Sequence, residues 1–262
     1  MLYAVKAILE LHWGYSVKRP VFSASQPALL IPPPTSLLGA LARAVAYFKE
    51  WPETIMIKGK LYSSASLLIQ DVPWTALALA DERFIGPILG LIETRDMIRA
   101  LIAPYQRREH AYPGSRVLFG VQPHGKIYAP SMHLYVIYFT RTRDIEKYIW
   151  SITSLGNKES TVSVSDVRIA EVELNAGDNE IETLYCFPSS LGEVIEGKFL
   201  KEVLSKPSLE HYELGVARDL AKNWEEFVIP LTQTRVRLHE GAVAVRVNDE
   251  TVIVPQEVIK NE

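Results

Sequence analysis

The sequence predicts an α+β fold of ferredoxin-like (RRM-like) order, strand-helix-strand repeated once, followed by a smaller, mixed, β-rich C-terminal domain. Three observations predict it. Tyr3, Val5, Ala7, Leu9, Leu11 and Trp13 are apolar while Lys6, Glu10 and His12 fall on the other face, which is the period of a half-buried strand. The stretch Ile31-Pro-Pro-Pro-Thr-Ser-Leu-Leu-Gly-Ala-Leu-Ala-Arg43 then changes to helical spacing. A second change of period, from the apolar run Met132 to Phe139 to a helical pattern after Asp144, repeats the order.

In the first helix, the three prolines Pro32 to Pro34 hold the approach extended, so the helix is expected to begin at Thr35 with Thr35 and Ser36 as capping hydroxyls. Leu37, Leu38, Leu41, Val45 and Phe48 form its apolar stripe, and Gly39 with the intervening alanines lets it lie flat on a sheet. The middle reads as strands from Lys60 to Gln70 and Val72 to Ala80, with mixed periodicity from Phe84 to Ile102. Met132 to Phe139 is apolar on both faces apart from His133, the pattern of a central strand. Asp144 is the expected cap of the second helix, whose stripe Ile145, Tyr148, Ile149, Ile152 and Leu155 runs to a stop at Gly156. The apolar phase from Thr161 to Leu174 slips twice, predicting two bulges or a bent strand. Beyond it, Val216, Leu220, Ala221, Trp224 and Phe227 share a helical face, and Val236 to His239, Ala242 to Val247 and Thr251 to Val254 predict a closing meander. The expected organisation is a first domain over 1–175, with a basic arm or hairpin inserted at about 95–130, and a second over 176–262.

The chain has 262 residues, 48% of them apolar, enough for a substantial core. No apolar run reaches the roughly 18 residues of a membrane helix. The N-terminus shows no basic stretch followed by an apolar core and a cleavage site, and the single Cys186 excludes an internal disulfide, so a cytoplasmic, reducing compartment is expected. A net charge of -3 argues against a general polyanion binder, yet Arg95 to Lys126 carries six basic residues against Asp96 and Glu109. A basic arm on an acidic body suits a nucleic-acid clamp and equally a solvated loop; charge alone does not separate them.

Leu155-Gly-Asn-Lys-Glu-Ser-Thr-Val-Ser-Val164 is a glycine turn able to hold an anion on backbone N–H groups beside Lys158, or simply a helix end with a surface lysine. It is not a P-loop, since the second glycine and the following helix are missing. His-Glu-x-x-His, paired cysteines, Gly-x-Ser-x-Gly and a dinucleotide fingerprint are all absent, so neither a metal nor another cofactor is expected.

Pro33-Pro-Thr-Ser-Leu-Leu-Gly-Ala-Leu41 and Leu155-Gly-Asn-Lys-Glu-Ser-Thr-Val-Ser-Val164, with Leu11-His-Trp-Gly-Tyr15 closing the first strand, resemble the signatures of the Cas-five family of CRISPR-associated RAMP proteins. The resemblance spans roughly residues 1 to 175 and points to the archaeal branch serving type I-A complexes. It implies a RAMP domain with a hairpin thumb and an antiviral role capping the 5′ handle of CRISPR RNA within a Cascade ribonucleoprotein. The implied neighbours are the Cas-seven backbone subunit, the Cas-eight large subunit and target DNA in the assembled complex, with no membrane. The expected RNA-binding residues are Lys18, Arg19, Arg107, Arg108, His110, Arg116, His124, Lys126, Gly156, Asn157, Lys158 and Ser160. Tyr105, Tyr112 and Phe119 are interleaved with that basic set and serve either to stack bases or to pack the arm.

The alternative is a metal-independent endoribonuclease processing precursor CRISPR RNA, as in one branch of the family. His110 with Tyr105 or Tyr112, or His124 with Lys126, are its candidate groups. They do not match that branch's catalytic set residue by residue, and a non-catalytic subunit is the expectation. His12, His133, His211 and His239 are expected to be structural or solvent-facing.

Overall fold

The computed structural model describes residues 2–17, 27–79, 92–101, 119–157, 159–175, 179–214 and 223–260; along 92–101 and 119–124 it describes the backbone. In chain order the strands are β1 (Tyr3–Leu11), β2 (Gly14–Tyr15), β3 (Thr54–Ile57), β4 (Lys60–Ser63), β5 (Trp74–Ala78), β6 (Ile92–Leu101), β7 (Phe119–Tyr128) and β8 (His133–Thr140). There follow β9 (Val162–Leu174), β10 (Glu180–Thr183), β11 (Phe187–Pro188), β12 (Gly192–Glu196), β13 (Phe199–Ser205), β14 (Trp224–Pro230), β15 (Thr234–Leu238), β16 (Ala242–Val247) and β17 (Glu250–Pro255). The helices are α1 (Pro34–Lys49), α2 (Ile145–Ile149) and α3 (Gln256–Lys260).

A six-stranded sheet in the order β17-β16-β9-β1-β8-β5 organises the chain, and every neighbouring pair in it is antiparallel. The alternation of β1 works as expected: Val5, Ala7, Leu9 and Leu11 are fully buried. With Leu134, Val136 and Tyr138 of β8 they face Leu37, Leu38, Leu41 and Val45 of α1. Tyr135, Ile137 and Phe139 point the other way into a second core with Val245, Val252 and Val254, so β8 is covered on both faces. Burying each such side chain stabilises by about 1.5–3 kcal/mol. Smaller sheets, β10-β15-β12 and β11-β14-β13, enclose a third core around Phe187, Val228 and Val236.

Several local expectations are corrected. Helix α1 begins at Pro34, not Thr35, and Pro33 precedes it without a side-chain cap. A proline at the first helical position has no N–H to leave unpaired, while the Thr35 hydroxyl is taken by Ser205 at 2.6 Å. A Cβ on Gly39 would meet nothing within 4 Å, so close packing does not require that glycine. Phe48 runs past the core and is 55% exposed. Helix α2 stops after five residues, with no side-chain cap from Asp144. Ile152 and Leu155 are nonetheless buried in the same core, placed there by turns.

The middle run from Lys60 holds strand only to Ser63, and Ser64–Leu68 form a 3-10 turn before β5. Strand β9 shows one register shift, opposite Ile8 and Leu9, and then leaves β1 to pair with β16. Trp224 and Phe227 lie on strand β14 rather than a helix; residues 216, 220 and 221 lie outside the described residues. The closing strands are not one meander: β16 and β17 form a hairpin, but β15 pairs with β10 and β12. Among the described residues no helix is long and apolar enough to cross a membrane.

Candidate nucleic-acid interface

Where β1 ends, the chain bends through His12 and Trp13 into β2, which pairs with the root of β7 as Gly14 with Tyr128 and Tyr15 with Ile127. The bend needs glycine: Gly14 has φ +138°, and a Cβ there would stand 1.9 Å from the Ile127 carbonyl oxygen. Ala129 N–H donates to the Trp13 carbonyl and Ser131 N–H to that of Leu11, both at 2.8 Å, so the corner and the end of β7 are stitched together. Along its whole length β7 pairs antiparallel with β6, making a ten-residue ladder between Ile92 and Tyr128.

The glycine turn closes on the same corner. Ser16 N–H donates to Ser160 Oγ at 3.0 Å, and the Ser16 hydroxyl donates to the Gly125 carbonyl at 2.9 Å. Ser160 N–H donates to Asn157 Oδ1 at 3.0 Å, and the Ser160 hydroxyl donates to the same oxygen. Gly156 has φ +80° and bridges to Ser16; a Cβ there would stand 2.7 Å from Val17 Cγ2. The Trp13 indole N–H donates to the Glu159 carbonyl at 2.7 Å, and His12 Nε2 lies 2.6 Å from Ser163 Oγ. Lys126 Nζ sits 5.3 Å from the centre of the Trp13 ring, within cation–π range.

Three segments, 12–16, 125–128 and 155–160, therefore converge, and they bring together Lys126, Gly156, Asn157 and Ser160 from the expected set. Ser160 differs from its expected role: it is fully buried, and its hydroxyl braces the turn. The N–H groups of Leu155, Ser160 and Thr161 are likewise engaged within the turn, so it offers less open anion-binding backbone than its spelling suggested. His124 lies on β7 opposite Asp96. Lys18, Arg19, Arg107, Arg108, His110, Arg116 and Lys158 lie outside the described residues, as do Tyr105 and Tyr112. Trp13, Tyr128 and Ser16 join the site without having been expected to bind; Trp13 stood only in the stretch Leu11-His-Trp-Gly-Tyr15, a glycine between two aromatic residues at the end of an alternating strand.

The proline junction is internal. Tyr15 donates its hydroxyl proton to the Leu30 carbonyl, Leu30 N–H donates to Glu202 Oε2 at 2.7 Å, and the Tyr212 hydroxyl reaches the Thr35 carbonyl at 3.3 Å. Burial, with Glu202 nearby, raises the Tyr15 phenol well above its ordinary pKa, keeping it a neutral donor. The start of α1 is packed under β13 and Tyr212 and does not present itself to a phosphate. Among the described residues no three His, Cys, Asp or Glu side chains are grouped to hold a metal.

No family model matches the chain. It is 33% identical over 206 residues to the CRISPR system aCascade subunit Cas5 1 of Saccharolobus solfataricus, covering 78% of this chain and 79% of that protein. This chain belongs to the Cas5 family. A second Cas5 relative, the CRISPR-associated protein Cas5 3 of the same organism, is 34% identical over the same share of this chain and 79% of its own length. A CRISPR protein from Archaeoglobus fulgidus has the same fold, with a TM-score of 0.57 over 97% of this chain and 100% of that one, at 21% identity. The corner at Trp13-Gly14 and the turn at Gly156 are tied to each other by hydrogen bonds.

Proposed function

We propose that this Cas5 protein is a non-catalytic, RNA-binding subunit of a type I, I-A-like Cascade. It caps the 5′ handle of CRISPR RNA between the backbone and large subunits, in the cytoplasm, as part of antiviral defence. The observation that carries this reading is its kinship, across four-fifths of the chain, with a protein named as an aCascade subunit. Three structural features support it. The order β9-β1-β8-β5, antiparallel throughout and connected by way of α1 and α2, supports reading 1–175 as a ferredoxin-like RAMP domain. In this reading the β6–β7 ladder serves as the base of the inserted thumb. Lys126 and the Gly156 turn stand together at its root, where a single strand leaving the thumb meets the body. In this reading residues 176–262 form the β-rich C-terminal domain, whose last hairpin continues the main sheet.

Arginines of the thumb neutralise phosphates and aromatic rings hold bases, the mode by which single-stranded RNA is gripped without cutting. The test is binding of the purified chain to RNA carrying the repeat-derived 5′ tag, measured against salt. With n phosphate contacts the log-log slope is about -0.7n, and it flattens when Arg107 and Arg108 are changed to Ala. A flat response in the unmodified protein overturns RNA capping. Incubation with labelled repeat RNA in EDTA tests the absence of catalysis, since a discrete product ending in a 2′,3′-cyclic phosphate would show an endoribonuclease.

A further inference from the structure

Along β7 the side chains alternate at the root of the hairpin. Gly125 and Ile127 are buried, whereas Lys126 is half-buried and Tyr128 is 47% exposed. Alternate positions of a strand face the same way, about 7 Å apart, so Lys126 and Tyr128 share one face. The Lys126 ammonium in turn lies over the half-buried ring of Trp13. Lys126 thus shares a strand face with Tyr128 and holds its ammonium over Trp13, so one cation and two aromatic side chains stand on the same corner.

Each member is held. The indole N–H of Trp13 is tied to the Glu159 carbonyl, and its own carbonyl is tied to Ala129 N–H. Tyr128 pairs with Gly14 on one side and Ile92 on the other. We infer that this corner is a base-stacking platform for single-stranded RNA: Trp13 and Tyr128 each take the face of a base, and Lys126 neutralises an adjoining phosphate. The inference rests on the RNA-binding reading above and adds to it the residues that hold bases. Lysine is depleted from the cores of protein–protein interfaces, which argues against a protein partner at a corner that carries an ammonium. Two exposed or half-buried rings beside one cation suit a single strand, which offers a base face and a phosphate at every nucleotide. Trp13 orientation depends on the glycine turn, so the turn acts on RNA through the indole as well as through its own surface.

The test uses the full chain and a fluorescein-labelled RNA with the repeat-derived 5′ tag, read by anisotropy. Trp13→Leu, which keeps apolar bulk and removes the ring, is expected to weaken binding by roughly 5- to 150-fold, the range of a lost base stack. Trp13→Tyr, which restores a ring without the indole N–H, recovers most of that affinity. A single abasic substitution in the tag weakens binding to the unmodified protein and adds nothing in Trp13→Leu, because both remove the same stack. Lys126→Gln lowers the salt slope by about 0.7.

If the unmodified protein binds the tag and Trp13→Leu and Tyr128→Leu bind it equally well, the platform is wrong and RNA capping stands. Abasic and Trp13→Leu losses that simply multiply at every position also overturn it. If the unmodified protein does not bind the tag, RNA capping falls and the platform with it. Equal affinity for a DNA copy of the tag would leave the stacking in place and overturn the assignment to RNA.

Discussion

A Cβ on Gly14 would lie 1.9 Å from the carbonyl oxygen of Ile127, so the corner after β1 rests backbone-to-backbone on the root of the β6–β7 hairpin. No side chain fits between them, and the φ of +138° is itself one that L-residues rarely adopt. The position of Trp13 relative to Lys126 follows from that contact.

Gly14→Ala is therefore expected to lower stability by more than about 3 kcal/mol in urea denaturation, since clash and backbone strain add. Gly59 offers the control, with φ +78° and nothing within 4 Å of its Cβ. Gly59→Ala should lose only about 1 kcal/mol. Similar losses in the two variants would mean that the backbone angle, and not the contact with Ile127, makes Gly14 necessary.

Ser160 supplies the second expectation. Its side chain is fully buried, accepts from Ser16 N–H and donates to Asn157. Ser160→Ala leaves the Ser16 amide unpaired, while Asn157 Oδ1 keeps the Ser160 N–H; a buried amide without its partner costs about 1–3 kcal/mol. Ser165, exposed and bonded only loosely to the Ile8 carbonyl at 3.3 Å, is the comparison; Ser165→Ala should change stability by under about 0.5 kcal/mol. An unaltered midpoint in Ser160→Ala would show that the turn does not depend on this hydroxyl.

The buried hydroxyl pair Thr35–Ser205, at 2.6 Å, joins the start of α1 to β13 across 170 residues. Thr35→Val strands the Ser205 hydroxyl and should lose about 1–3 kcal/mol. The double variant Thr35→Val with Ser205→Ala removes both polar partners, so its loss should be smaller than the sum of the single losses. Strict additivity in denaturation would mean that the two hydroxyls do not interact.

Glu180 carries the pH prediction. Hydrogen bonds and charge from Arg237 and Arg235, the Arg237 hydrogen bond foremost, hold its carboxyl below the ordinary glutamate value. A depressed carboxylate contributes stability above its unfolded pKa and loses it as pH falls through the lower folded value. The stability difference between the unmodified protein and Glu180→Gln should thus be steady near neutrality and shrink on acidification past the ordinary glutamate range. Its magnitude is small, because the group is exposed to solvent. A difference unchanged by acid would remove the assigned pairing.

Much of the main sheet was legible because burial leaves a periodic trace. Strand β1 carries it in Val5, Ala7, Leu9 and Leu11, and β8 in its unbroken apolar run from Leu134 to Phe139. The trace reports which residues are inside more faithfully than which element holds them. Ile152 and Leu155 kept their burial after α2 had ended, and on a strand Phe227 is buried while Trp224 packs half-buried against the same core. Hydroxyls misled for a related reason. Thr35 is a good capping residue locally, but a partner 170 positions away, Ser205, took its oxygen.

Of the site, Gly156, Asn157 and Lys126 were readable as a turn and a cation, and their joint position beside Trp13 was not. By itself the sequence determined the strand and helix periods that build the main sheet, a helix directly after the proline run and the glycines at 14 and 156 whose positive φ angles permit two tight bends. These are local properties, written in neighbouring residues. Only the tertiary structure decided that those bends meet, that Ser160 turns inward while Lys126 lies over Trp13, and that β16 and β17 join the sheet begun by β1. Those outcomes depend on hydrogen bonds and packing between residues from about 70 to more than a hundred positions apart, which no local pattern encodes.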